Sequence, residues 1–167
     1  MAINFPEGTQ EFPAKILQIV QSTFTGTTTT NSTSYVDTGL SVSITPQATS
    51  SKVLLICSFN FGQSKSPAGT QDNMKQFSLF RGSTNVAPAN GRFFAQQNEN
   101  GSSIDFNEQV ETSALTFLDT PSTTSSTTYK LRMQVDVTAV TIMFNSRAHG
   151  SGDHKGVCSL IAMEVGS

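Results

Sequence analysis

The stretch YKLRMQVDV, residues 129–137, alternates strictly between apolar and polar side chains. Such a period of two is typical of a strand in a sheet with one buried face and one face in water. We therefore expect the odd-numbered residues of this stretch to be buried and the even-numbered residues to face solvent. Val140, Ile142 and Phe144 repeat the alternation after a short break, so the pattern predicts a hairpin between the two segments.

Further short apolar segments extend this pattern along the chain. Residues 40–45 alternate in the same way and end at Pro46, which cannot continue a ladder. Residues 15–21 fit either a helix, with Phe12, Ile16 and Val20 on one face, or a strand, and their Ile and Val content favours a strand. The complete set of predicted strands is 15–21, 40–45, 53–61, 76–81, 92–95, 114–118, 129–137, 140–144 and 157–165. Turn-rich connections between these strands predict an all-β antiparallel β-sandwich of the jelly-roll type.

Two of the predicted strands, 53–61 and 157–165, are apolar on both faces. A sandwich covers only one face of each strand, so the second face needs another cover, such as a second subunit. In the first strand the surplus residues are Leu54 and Ile56. In the second, either the row formed by Val157, Ile161 and Met163 or the row formed by Cys158, Leu160 and Ala162 is surplus. We take Leu54, Ile56, Ile161 and Met163 as the candidate subunit interface.

Composition narrows the classes of function. Only 13% of the 167 residues are charged and the net charge is −2, which argues against nucleic acid or an anionic membrane as a partner. No apolar run approaches the roughly 20 residues of a membrane helix. Residues 1–14 carry Glu7 and Glu11 and no basic cluster, so we interpret them as a short arm, not a signal peptide, before one domain at 15–167.

Few residues suggest chemistry, and we predict no catalytic residue, cofactor or metal. His149, Asp153 and His154 could bind a metal, but a loop this rich in Gly is more often simply a loop. Carboxylates along a polar loop and its flank are more typical of a solvated surface than of a glycosidase pair. These are Glu99, Asp105, Glu108 and Glu111. Cys57 and Cys158 lie in apolar strand patterns and are expected to be buried free thiols, although a disulfide between them stays open.

Several segments resemble small β-rich virion structural proteins of tailed bacteriophages, especially those of marine and cyanobacterial hosts. The resemblance lies in the opening MAINFP and in residues 15–21, 35–46, 49–55, 118–125 with 128–130, and 160–165. It implies a jelly roll similar to trimeric tumour-necrosis-factor-like heads, which forms a homotrimer on the virion after assembly in the host cytoplasm. Other virion proteins, of the capsid or the tail, and a host surface receptor are the partners that it implies.

Within this family, the role could be capsid decoration or association with a tail or fibre. Only residues 1–14 precede the first predicted strand, which favours a small subunit over a full-length fibre with a shaft. The alternative is a lectin-like module that recognises host surface glycan through its long loops. The absence of Trp and the presence of only two Tyr residues argue against that alternative, because sugar sites favour an aromatic platform.

Overall fold

A computed structural model of the protein describes residues 15–64, 73–88, 91–98, 109–147 and 155–166. Within these ranges the chain forms strands and no helix. The strands are β1 Lys15–Phe24, β2 Thr28–Thr30, β3 Val36–Ile44, β4 Lys52–Gln63, β5 Asn73–Arg81, β6 Thr84–Asn85, β7 Phe94–Asn98, β8 Glu111–Asp119, β9 Thr127–Val135, β10 Ile142–Phe144 and β11 Cys158–Gly166.

The strands form two sheets in which every pairing is antiparallel. The first sheet runs β1-β11-β4, with β8 on the other edge of β4. β10 continues beyond β11 along β4 and pairs with β2. The second sheet runs β3-β9-β5, and both β6 and β7 pair with the free edge of β5. The chain crosses repeatedly between the two sheets as it proceeds, and the predicted antiparallel β-sandwich is confirmed.

The predicted strands overlap observed ones, and most of their ends differ from the observed ends by only a few residues. Residues 15–21, which also fitted a helix, belong to a strand. The predicted hairpin between 129–137 and 140–144 is wrong. β9 pairs on its two edges with β3 and β5, so it has no edge left for β10. The connection crosses instead to the first sheet, where β10 pairs with β4. Both segments alternate because each covers the core from its own sheet.

The core lies between the two sheets and takes the inward side chains of both. Its centre is a cluster of phenylalanine rings, with the centroids of Phe59 and Phe77 4.7 Å apart and those of Phe61 and Phe94 5.5 Å apart. Leu131 and Met133 on β9 are fully buried, as the alternation predicts. Each side chain of this size that is removed from water stabilises the fold by about 1.5–3 kcal/mol.

Both cysteines contribute to the core as small apolar groups. Cys57 on β4 and Cys158 on β11 are buried and carry free thiols, as predicted. Burial raises the pKa of each thiol, so neither is a ready nucleophile at neutral pH.

Candidate interaction surface

The two central strands of the first sheet, β4 and β11, place apolar side chains on its outward face. On β4, Val53, Leu55 and Cys57 are buried, whereas Leu54 and Ile56 point away from the core and stay partly exposed. On β11, the buried row is Cys158, Leu160 and Ala162, which leaves Ile161 and Met163 on the outward side. Ile161 pairs with Ile56 and Met163 pairs with Leu54 across the ladder. The four residues of the candidate interface therefore form one square on one face.

The flanking strands extend this square to the edges of the sheet. Ile19 on β1 pairs with Met163, and Leu118 on β8 pairs with Leu54. One continuous apolar row thus crosses four strands, and its ends are 59% exposed at Ile19 and 46% exposed at Leu118. The adjacent row adds Gln21 and Thr116 on either side of the Ile161–Ile56 pair. Neither row contains a charged side chain.

We call this surface the apolar face. Its members are Ile16, Ile19, Leu54, Ile56, Leu118, Ile161, Met163 and Val165. Ile16, which pairs with Val165, is 60% exposed. A monomer rarely exposes so many neighbouring apolar groups, since each would be more stable out of water.

The apolar character ends halfway along the strands. The next row consists of Thr23, Ser159, Ser58 and Ala114, all small and mostly hydroxylated. Beyond it, the Thr112 hydroxyl donates a hydrogen bond to Oδ1 of Asn60 at 2.7 Å. The polar half of the face therefore satisfies part of its hydrogen bonding within the subunit.

The outward face of the second sheet is different in character. Asp37 on β3 forms ion pairs with Lys130 at 2.9 Å and with Arg132, both on β9. Burial would raise the pKa of the Asp37 carboxyl, but the hydrogen bonds from Lys130 and Arg132 outweigh it and lower that pKa. Gln134 donates to Gln76 at 2.9 Å beside them. This face is suited to water and contrasts with the apolar face on the opposite side.

A buried carboxylate lies directly beneath one end of the apolar face. Glu164, between Met163 and Val165, is fully buried. It accepts hydrogen bonds from Gln18 Nε2 at 2.6 Å and from the Gln47 backbone amide at 2.7 Å. Burial alone would raise the pKa of this carboxyl, but the hydrogen bonds dominate and hold it below its usual range. Glu164 thus links β11 to β1 and to the turn after β3.

Four residues of the apolar face were absent from the interface predicted from sequence: Ile16, Ile19, Leu118 and Val165. All four lie in predicted strands, and their alternation could have placed them on a face. Their neighbours could not be inferred, because strand pairing joins residues far apart in the chain, such as Ile19 on β1 and Met163 on β11.

Most of the residues considered for a metal site or a carboxylate pair are not described by the structure. His149, Asp153 and His154 lie outside the described residues, as do Glu99, Asp105 and Glu108. Glu111 is described, and its carboxylate lies 3.5 Å from Nζ of the fully buried Lys75. Among the described residues, no three His, Cys, Asp or Glu side chains meet as a metal-binding group. The same ranges contain no helix of the length and apolarity needed to span a membrane.

Comparisons with known proteins do not assign a family. No protein-family model matches the chain, and no curated protein matches it. The geometry of the apolar face is therefore the main structural guide to what the protein does.

Proposed function

We propose that this chain is a non-enzymatic structural subunit of a virion surface, which assembles as a homotrimer through the apolar face. The observation that carries the proposal is the apolar row from Ile19 through Met163 and Leu54 to Leu118. If it stayed exposed to water, this row would be unfavourable for the monomer and would promote aggregation.

A second copy of the same chain is the partner that fits this surface. The two central rows carry no charge, so two such faces can meet without burying an unpaired ion. The whole outward face of the first sheet, the apolar face together with the hydroxylated row beside it, spans four strands at a spacing of about 4.8 Å and about eight residues of β4, or roughly 19 Å by 26 Å. That flat area of about 500 Å² is of the same order as the roughly 800 Å² of accessible surface each partner buries in a stable interface.

The virion setting and the number three rest on the resemblance of the sequence to phage virion proteins. The β-sandwich is consistent with that resemblance, because the implied heads are built from two packed antiparallel sheets. A closed ring of three identical subunits would cover every copy of the apolar face and leave the ion-paired face of the second sheet outward. Within the virion, the role is decoration of the capsid or association with the tail or fibre.

The experiment that tests this function locates the chain on particles. Gold-labelled antibody raised against the purified chain would be imaged on purified virions by electron microscopy. We expect regularly spaced label on the capsid or on the tail. Absence of label from intact particles, with the chain found only in the soluble lysate, would overturn the virion proposal. Specific capture on a glycan array would favour the lectin-like alternative.

A further inference from the structure

We propose that Lys75 and Glu111 are joined by an amide bond between their side chains, which ties the second sheet covalently to the first. Lys75 lies on β5 of the second sheet, and Glu111 begins β8 of the first. Nζ of Lys75 lies 3.5 Å from Oε1 of Glu111. This bond belongs to the folded subunit and is independent of the proposed self-association.

The pair lies beside the phenylalanine cluster of the core. Lys75 is fully buried, as is Phe77 two residues further along the same strand. Nζ of Lys75 lies 5.6 Å from the centroid of the Phe61 ring, and Glu111 is the ladder partner of Phe61. A lysine is seldom buried so completely, because its charge loses the water that stabilises it. The amine is therefore held beside the carboxyl in largely apolar surroundings.

These surroundings prepare the amine for reaction. Burial lowers the pKa of Lys75, and the neighbouring Glu111 carboxylate offsets this only in part. A larger fraction of the amine is then neutral, and the neutral amine is the nucleophile. Two groups held in contact and well oriented also react with an effective concentration of roughly 10⁵–10⁸ M.

The same surroundings favour the amide as the product. In water, hydration stabilises an ammonium and a carboxylate, but Lys75 is shielded from water. An amide is neutral, so its formation removes the buried charge from the core. By contrast, the side chains of Lys130 and Asp37 are 33% and 43% exposed, and we expect them to remain an ion pair although they are only 2.9 Å apart. Burial, not distance, distinguishes the two pairs.

The reaction needs no oxidant and no second reactant. A proton first passes from the Lys75 ammonium to the Glu111 carboxylate, which gives a neutral amine and a carboxylic acid. The Nζ lone pair then attacks Cδ of Glu111, and the bond from Cδ to the hydroxyl oxygen breaks. The hydroxyl leaves with one Nζ proton as water, so one C–N bond forms and one C–O bond breaks. The Glu111 side chain is 29% exposed, which gives the released water a path to solvent.

The bond closes a covalent loop through the rest of β5, then β6 and β7, to the start of β8. Unfolding would leave β5 and β8 connected, which restricts the unfolded chain in the way a disulfide does. Because β7 pairs with the outer edge of β5, the bond also holds this edge of the second sheet against β8.

Mass spectrometry of the full chain tests the bond directly. We expect the reduced and denatured protein to have a mass lower by one water than its sequence predicts, once any loss of the initiator methionine is accounted for. Trypsin should not cleave after Lys75, and the digest should contain residues 66–81 joined to residues 93–130. Fragmentation of this branched peptide should place the link at Lys75 and Glu111.

Three variants serve as controls. Lys75→Arg keeps a cation but has no nucleophilic amine, and Glu111→Ala removes the carboxyl that is attacked. Both should have the full sequence mass and a lower melting temperature than the linked native chain. Lys130→Arg, the same replacement in the exposed ion pair with Asp37, should keep the mass deficit of one water.

A native chain of full sequence mass that trypsin cleaves freely after Lys75, even after prolonged incubation of the folded protein, would overturn the inference. A loss of water located at any other pair of residues would overturn it as well. A linked fraction that grows with time in the folded protein, but not in denaturant, would support it, because the reaction depends on the fold. The masses are those of denatured single chains, so this result does not depend on the homotrimer, and the native chain alone decides if a variant fails to fold.

Discussion

At the scale of single residues, Glu164 illustrates how a charge is accommodated inside an apolar sheet. Its carboxylate is out of water but accepts hydrogen bonds from Gln18 and from the Gln47 amide. These donors favour the ionised form, so the folded protein has a lower pKa at this site than the unfolded chain. The stabilisation is complete above the unfolded pKa of about 4.3 and is lost as the pH falls through the folded pKa.

Replacing this carboxylate tests that assignment. Glu164→Gln removes a charged acceptor and should lower the free energy of unfolding at pH 7 by about 1–3 kcal/mol. At pH 3 part of the stabilisation by the ionised carboxylate is lost, so the difference in free energy of unfolding between variant and native protein should decrease. Urea unfolding at both pH values measures this difference. An unchanged difference would show that ionisation of Glu164 does not contribute to stability.

Gly39 is a second residue whose identity the backbone requires. It lies in the irregular part of β3 at φ +94°, and a Cβ there would come within 2.6 Å of Cε2 of Phe24. Gly39→Ala should therefore destabilise the fold by about 1–3 kcal/mol, through backbone strain and displacement of the ring. Gly82→Ala is the matched control, because Gly82 also has a positive φ but its Cβ would meet nothing within 4 Å. Equal losses in thermal unfolding would mean that the Phe24 contact is unimportant.

At the scale of elements, β9 shows how alternation separates a buried face from a wet one. Leu131 is fully buried, whereas Arg132 pairs with Asp37 and lies over the Phe80 ring at 4.7 Å. Leu131→Ala should lower the free energy of unfolding by about 2–5 kcal/mol, since it leaves a cavity between the sheets.

Arg132→Ala serves as the neighbouring control on the same strand. It removes a partly exposed ion pair and a ring contact, so its cost should stay near or below about 1 kcal/mol. Chemical denaturation of both variants measures the difference. Similar losses from the two substitutions would contradict the assignment of the faces.

The same elements show what sequence can and cannot predict here. Alternation identifies which side of β9 is buried, and apolar residues on both sides of β4 and β11 indicate that their second face needs cover. Strand partners are not local, however. The alternation in 129–137 and 140–144 looks the same whether the segments pair with each other or lie in opposite sheets, so the hairpin prediction failed. Ile19 and Leu118 could be assigned to the apolar face only once the strand partners were known, because β1 pairs with β11 and β8 pairs with β4.

At the scale of the whole molecule, the two outer surfaces differ in a way that a monomer does not explain. One surface is ion-paired around Asp37, and the other is apolar across four strands. The proposed self-association through the apolar face would account for both, because it would bury the one and leave the other in water.

A charge placed at the centre of the apolar face should block assembly before it unfolds the subunit. Ile56→Asp points outward in the monomer but would bury an unpaired carboxylate at the contact, which is costly. Ser43→Asp adds the same charge on the exposed outward side of the second sheet and should leave assembly unchanged. Sedimentation velocity and circular dichroism distinguish loss of assembly from loss of fold. If Ile56→Asp assembles like the native chain, the apolar face is not the contact.

The most direct measurement is the solution mass of the unsubstituted chain by light scattering at micromolar concentration. Assembly through the apolar face as a homotrimer predicts a single species of three 17.9 kDa chains. A clean dimer would contradict the threefold stoichiometry and keep the face as the contact. A stable monomer of 17.9 kDa would contradict the central claim that the apolar face is covered by further copies of the chain.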